Sequence, residues 1–130
     1  MDVKEFAEKF LQAENNAWKG GDFDELVRIE SPDIVIHMPP TPDINGFEGH
    51  KQYIMNARDS LSDLKQEWDY VTGDGNIAIF NYKSSGKAIV EMPALSIPAG
   101  ATISNDAMFV LHRKNDKVAE IWIKNTMTLQ

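Results

Sequence analysis

The sequence predicts an α+β domain in which three N-terminal helices pack on one face of a curved, mostly antiparallel sheet. Three observations predict it. Apolar residues recur at spacings of three and four as far as Leu61, the period changes to two from Leu64 onward, and the last quarter of the chain reads as two long strands joined by a tight turn. No repeat, low-complexity tract or linker interrupts the chain, so residues 1–130 form a single domain.

The first helix has the clearest pattern: Val3, Phe6, Ala7, Phe10, Leu11, Ala17 and Trp18 lie on one stripe. Glu14 occupies the same stripe, which points an acid toward the core. Gly20 and Gly21 end the helix. Asp22 is expected to open a second helix, with Glu25 at capping-box spacing and Phe23, Leu26 and Val27 as its packing face; Ser31-Pro32 closes it. Asp33 to Met38 is a short strand with Ile34, Ile36 and Met38 on one face and Val35 and His37 on the other. The run Pro39, Pro40, Thr41, Pro42 is expected to loop out, because proline continues neither a helix nor a ladder. A third helix after Gly46-Phe47-Glu48-Gly49 carries His50, Tyr53, Ile54, Ala57 and Leu61 on one stripe and ends at Ser62-Asp63.

Leu64, Gln66, Trp68 and Tyr70 then alternate with Lys65, Glu67, Asp69 and Val71 in a strand that turns at Asp74-Gly75. Ile77 to Tyr82 returns as an apolar strand with room to extend toward Glu91. Prolines at positions 93 and 98 mark the next loop. The closing hairpin runs from Ala101 to Lys124 around Lys114-Asn115-Asp116. Asp106, Met108, Val110 and His112 share one face of its first arm, and Ile103, Asn105, Ala107, Phe109 and Leu111 share the other. Both faces are apolar, so the hairpin belongs in the middle of the sheet. Three helices cover one face only. We therefore expect Asp106, Met108 and Val110 toward the helices, and Phe109 and Leu111 toward a second copy in a symmetric homodimer.

Composition excludes several functions. The net charge of −7, with 13 scattered Lys and Arg, argues against nucleic acid and anionic membrane surfaces. The chain has no cysteine, hence no disulfide frame, thiolate metal site or nucleophilic thiol. Its start is charged and amphipathic, unlike a secretion signal, and no apolar run approaches spanning length; a cytoplasmic location is expected.

The order of elements and several strings resemble the SnoaL-like polyketide cyclases within the nuclear transport factor 2-like superfamily of cone-shaped α+β (cystatin-like) domains. These strings are Gly21-Asp22-Phe23-Asp24, Pro32-Asp33-Ile34-Val35-Ile36-His37, Gly46-Phe47-Glu48-Gly49-His50, Ile97-Pro98-Ala99-Gly100 and Lys117-Val118-Ala119-Glu120-Ile121-Trp122. The resemblance implies a cone with an internal cavity between helices and sheet that receives a small apolar or polycyclic carbonyl compound. It also implies that Asp106 is the general acid/base of an aldol ring closure, since those cyclases keep a carboxylate on this strand. Counted back from Lys117, the family's acid falls nearer Met108 than Asp106, which requires a bulge or shifted turn around Arg113 to Asp116. By the same resemblance Glu14 stands where related ketosteroid isomerases keep an oxyanion-binding tyrosine, and His37 stands at the cavity mouth, placed to act as base or hydrogen-bond donor. Met38 replaces the catalytic aspartate of those isomerases. No arginine begins the Arg-x-Asp string of the limonene epoxide hydrolases.

The expected catalytic set is therefore Asp106, His37 and Glu14, converging on one cavity lined by Trp18, Met38, Tyr53, Tyr82, Met92, Met108 and Asn125. His50 and His112 rank below them. No histidine has metal-ligand spacing to a second ligand, and no phosphate loop or nucleophile elbow is present, so neither metal nor cofactor is expected. The resulting function is a cofactor-independent cyclase or isomerase acting on a carbonyl compound. The alternative is a non-catalytic dimeric binder or sensor, or a dimerising domain whose cavity has collapsed.

Overall fold

The computed structural model describes all 130 residues. Helix α1 spans Val3–Gly20, α2 Asp24–Ile29 and α3 Gly46–Ser60; strands β1 to β6 span Glu30–Met38, Thr41–Asn45, Leu61–Asp74, Ile77–Ala88, Thr102–Lys114 and Lys117–Leu129. The strands form one curved sheet in the order β2-β1-β6-β5-β4-β3. The closing hairpin β5-β6 lies at its centre, as its two apolar faces require. Only β1 and β6 run parallel. No helix is long and apolar enough to cross a membrane.

The α1 helix starts where the Asp2 carboxylate accepts from the Glu5 backbone N–H at 2.8 Å and stops at Gly21, whose φ of 67° turns the next N–H, that of Asp22, back onto the Asn16 carbonyl at 3.2 Å. A side chain at Gly21 would also strike the Arg58 guanidinium, since its Cβ would lie 2.5 Å from Nη1. That guanidinium is held in place by Nε donating to the Trp18 carbonyl at 2.9 Å. Glycine is needed on both counts.

Several boundaries differ from expectation. The Asp22 carboxylate accepts from the Asp24 N–H in a local turn, so α2 begins two residues later than predicted and has no side-chain cap. Leu26 is fully buried there, but Val27 is half exposed, because a helix this short buries only a narrow stripe. The proline run does not simply loop out: after the Pro39-Pro40 turn the chain returns as β2, pairing Ile44 with Ile36 and Thr41 with Met38. Pro42 is tolerated because β2 is an edge strand, where a missing N–H interrupts no second ladder. Finally, β1 begins at Glu30, not Asp33, and β3 follows α3 directly at Leu61.

The largest correction concerns the two faces of β5. Ile103, Ala107, Phe109 and Leu111 point to the helices and are buried, while Asp106 and Met108 are exposed on the convex side. Phe109 and Leu111 therefore belong to the core with Phe10, Phe80, Ile36 and Ile121, and are not free to meet a partner. The physical reason lies in the rows themselves. The row containing Asp106 and His112 would bury two ionisable groups, whereas the other row carries only neutral Asn105 between Ile103 and Leu111 and meets a charge only at Arg113, at the rim beside Phe6. A bulge does occur at the closed end of the hairpin, between His112 and Arg113, but its extra residue lies in β6, so β5 keeps strict alternation and Asp106 stays outside.

Candidate active site

A pocket of about 150 Å³ lies between α1, α3 and the concave face of the sheet. Fourteen of its nineteen lining residues are hydrophobic, so its few polar groups decide what it can do. Trp18, Met38, Tyr53, Tyr82 and Asn125 line it. Met92 and Met108 do not. Met92 packs against the separate cluster of Ala88, Ile97 and Ile103 that anchors the loop before β5, and Met108 is on the convex face.

Of the expected catalytic residues only Glu14 reaches the pocket. It is 3 % exposed, and both of its oxygens are engaged. Oε2 accepts from the Trp18 indole N–H at 2.9 Å, one helical turn on, while Oε1 lies 3.2 Å from His50 Nε2. His50 in turn places Nδ1 2.7 Å from Glu30 Oε2 and 3.0 Å from Oε1. The three groups come from α1, the first residue of β1 and the first turns of α3. All are buried. Burial pushes the Glu14 carboxyl up to about 7, against the opposing pull of His50. Burial alone would lower His50, yet the charges of Glu14 and Glu30 and the bond to Glu30 outweigh it and hold the imidazole at about 9. At neutral pH His50 is thus an imidazolium bridging two carboxylates, and Glu14 sits at the pH where it can both take and release a proton.

One ligand atom from each of the three lies within 4.8 Å of the others, the spacing of a cation site. The ring orientation opposes that use. Each ring nitrogen is directed at a different carboxylate, so neither has a lone pair free for a metal.

Two phenols share the pocket. Burial raises the pKa of both Tyr53 and Tyr82, keeping them protonated. The Tyr82 oxygen accepts from Gln66 Nε2 at 2.9 Å, which leaves its own hydrogen to donate. The hydroxyl of Tyr53 meets only the Met38 sulfur, at 4.0 Å. The Trp68 indole N–H in the same lining has no partner at all.

His37 lies on the opposite side of the sheet. Its Nδ1 is 3.0 Å from Asp43, its Nε2 bonds Glu120, and its ring stacks on Trp122 at 5.6 Å. These contacts, the Glu120 bond foremost, raise its pKa, but the cluster does not open into the pocket. Asp106 and His37 therefore do not converge with Glu14. Glu30 and His50 do.

A family model for the SnoaL-like domain matches residues 8–121. The chain belongs to the SnoaL-like family. No curated protein sequence matches it, but many solved structures share its fold. TsrD from Streptomyces laurentii is 22 % identical with a TM-score of 0.78, covering 98 % of this chain and 90 % of that one. IdmH from Streptomyces antibioticus, described as a candidate polyketide cyclase, is 17 % identical with a TM-score of 0.73, covering 96 % and 92 %. An NTF2-like protein from Exiguobacterium sp. 255-15, of unknown function, is 15 % identical with a TM-score of 0.69, covering 95 % and 98 %. At these identities the SnoaL-like chain shares the cone fold with each of them and nothing finer.

Proposed function

We propose that this SnoaL-like domain is a cofactor-independent isomerase or cyclase that moves a proton next to a carbonyl, with Glu14 as the acid/base. The observation that supports it is a pocket carboxylate poised near 7 and backed by a buried imidazolium. The Glu14 carboxylate takes the α-proton; the C–H electron pair forms the enolate C=C bond and the carbonyl π pair moves to oxygen. A phenol donates to that oxygen, Tyr53 being the freer of the two. The protonated carboxyl of Glu14 then returns the proton to carbon; in ring closure the enolate carbon instead bonds to a second carbonyl carbon, whose π pair moves to its oxygen, and that oxygen takes the proton from Glu14. Glu30 and His50 are positioning residues that hold Glu14 and set its charge.

The test is α-proton exchange of small ketones in D₂O, followed by proton NMR. Wild-type protein is expected to accelerate exchange, and Glu14→Gln to lower the rate about 10²-fold. Unchanged exchange in that variant removes the proposal. Binding without exchange by the wild type assigns the domain to the carriers.

The same reading includes a homodimer through the convex face. Trp122, Val110 and Ile79 lie side by side across β6, β5 and β4, and Met108 and Trp122 are 49 % and 40 % exposed. An apolar row of this kind on a sheet suits a two-fold contact. Light scattering is expected to give a dimer for the wild type and a monomer for Met108→Lys. A monomeric wild type, or a variant that stays dimeric, rules out this face.

A further inference from the structure

We infer that the pocket takes a monocyclic ketone or enone bearing an alcohol or amide away from its carbonyl, and that fused polycycles do not fit. The carbonyl part rests on the acid/base reading above; the ring size and the polar group rest on the pocket itself.

Size comes first. The pocket, about 150 Å³ and open toward exposed Asn125, holds one benzene-sized ring in its inner part, and the walls there have little freedom to move. Its sheet wall is a triangle of rings in mutual contact: Trp68 lies 4.3 Å from Tyr82 and 5.4 Å from Phe109, and Tyr82 lies 5.7 Å from Phe109. Phe80 closes behind them, 5.7 Å from Trp68 and 5.1 Å from Phe109. The helix wall is equally constrained. Trp18 is bonded to Glu14 and packs edge-on against Tyr53 at 6.3 Å, while Glu14 is tied through His50 to Glu30 in β1. Enlarging the pocket for a second fused ring means breaking one of these locked walls.

The polar group follows from the outer end. Asn125, which is exposed, donates to Asn105 Oδ1 at 2.9 Å, and Asn105 donates to Ser84 Oγ at 3.2 Å. This ladder crosses β6, β5 and β4 on the concave face, and all three residues line the pocket. It runs in one direction, so the Asn125 carbonyl oxygen remains as a free acceptor and each amide keeps a second N–H. A group that both donates and accepts, such as an alcohol or a primary amide, matches that end; a bare hydrocarbon does not. Glu14 is almost fully buried while Asn125 is exposed, so the acid is the deeper of the two polar features of the pocket.

The experiment is titration of the full chain by calorimetry and by quenching of pocket tryptophan fluorescence. The probes are cyclohexanone, 4-(hydroxymethyl)cyclohexanone, 2-tetralone and a tetrahydrophenanthrenone. The hydroxymethyl compound is expected to bind about tenfold more tightly than cyclohexanone, and Asn125→Ala to erase that gain. The two-ring and three-ring ketones are expected to bind at least tenfold more weakly than the hydroxymethyl compound. A tricyclic ketone that binds as well as the monocycle overturns the inference, as does a hydroxymethyl advantage that survives Asn125→Ala, or no monocycle binding at millimolar concentration. Failure of the acid/base reading looks different: the size order and the Asn125 effect persist, but no probe exchanges its α-protons.

Discussion

Glu30→Ala is expected to lower the unfolding free energy by about 3–5 kcal/mol, the range for removing one partner of a buried ion pair. Glu30 is fully buried, and both of its oxygens lie within hydrogen-bond distance of His50 Nδ1. Without it the imidazolium faces an empty space on one side and keeps only Glu14 on the other. The ring must then either remain charged with poor compensation or lose its proton, which leaves Glu14 as the uncompensated charge. Either outcome is costly in a site closed to water. Urea unfolding at neutral pH reads the effect directly. A loss below about 1 kcal/mol, the range of an ordinary exposed pair, means that the three groups are not ionised as described.

Stability should also fall as pH rises through neutrality, losing on the order of 3 kcal/mol between pH 6.5 and 9. His50 is raised from 6.5 to about 9, so its contribution is fully present below 6.5 and is lost as pH rises through 9. Glu14 is raised from 4.5 to about 7, opposite to the usual carboxylate. The folded chain holds that proton more tightly, and its contribution is present below 4.5 and lost as pH rises through 7. Both groups therefore act with the same sign, and the cluster releases its protons as a unit in two steps. Thermal unfolding across this range checks the slope. In Glu14→Gln the Glu14 part of the slope should vanish, and because the Glu14 charge is foremost among the effects that raise His50, the remaining loss should shrink and move to lower pH. A wild-type midpoint that is level or rises from pH 6.5 to 9 contradicts the assignment.

The architecture was legible wherever periodicity was strong. The stripe of α1 placed Glu14 inside, the Asp74-Gly75 turn joined β3 to β4, and two apolar faces put the last hairpin at the sheet centre. The site was legible only in part. The Asp106 row was given to the helices and Phe109 and Leu111 to a partner, where the cost of burying Asp106 and His112 pointed to the row of Ala107, Phe109 and Leu111. Glu30 was passed over because Ser31-Pro32 read as a helix end. Nor could the alternation of Ile34 and Ile36 be carried back to it, because the pairing of β1 with β6 shifts register between Glu30 and Val35 and Pro32, on the same parity, is exposed. His50 stood on the inner stripe of α3 from the start. What no periodicity could supply is that Glu14, Glu30 and His50 meet, because that depends on how α1, β1 and α3 cross.

The division between an inner acid cluster and an outer amide ladder bears on how such a protein can be altered, in evolution or by design. The cluster draws one residue from each of three elements and holds them together, so a change at any of them is felt as lost folding before it is felt as new chemistry. Ser84, Asn105 and Asn125 are neighbours on three strands of one sheet and carry no charge. Each can be exchanged for a residue of similar size with little effect on the rest of the chain. Selection for a new ligand therefore has an open route at the mouth and a closed one at the base, and libraries aimed at these three positions should diversify recognition while leaving the inner cluster in place.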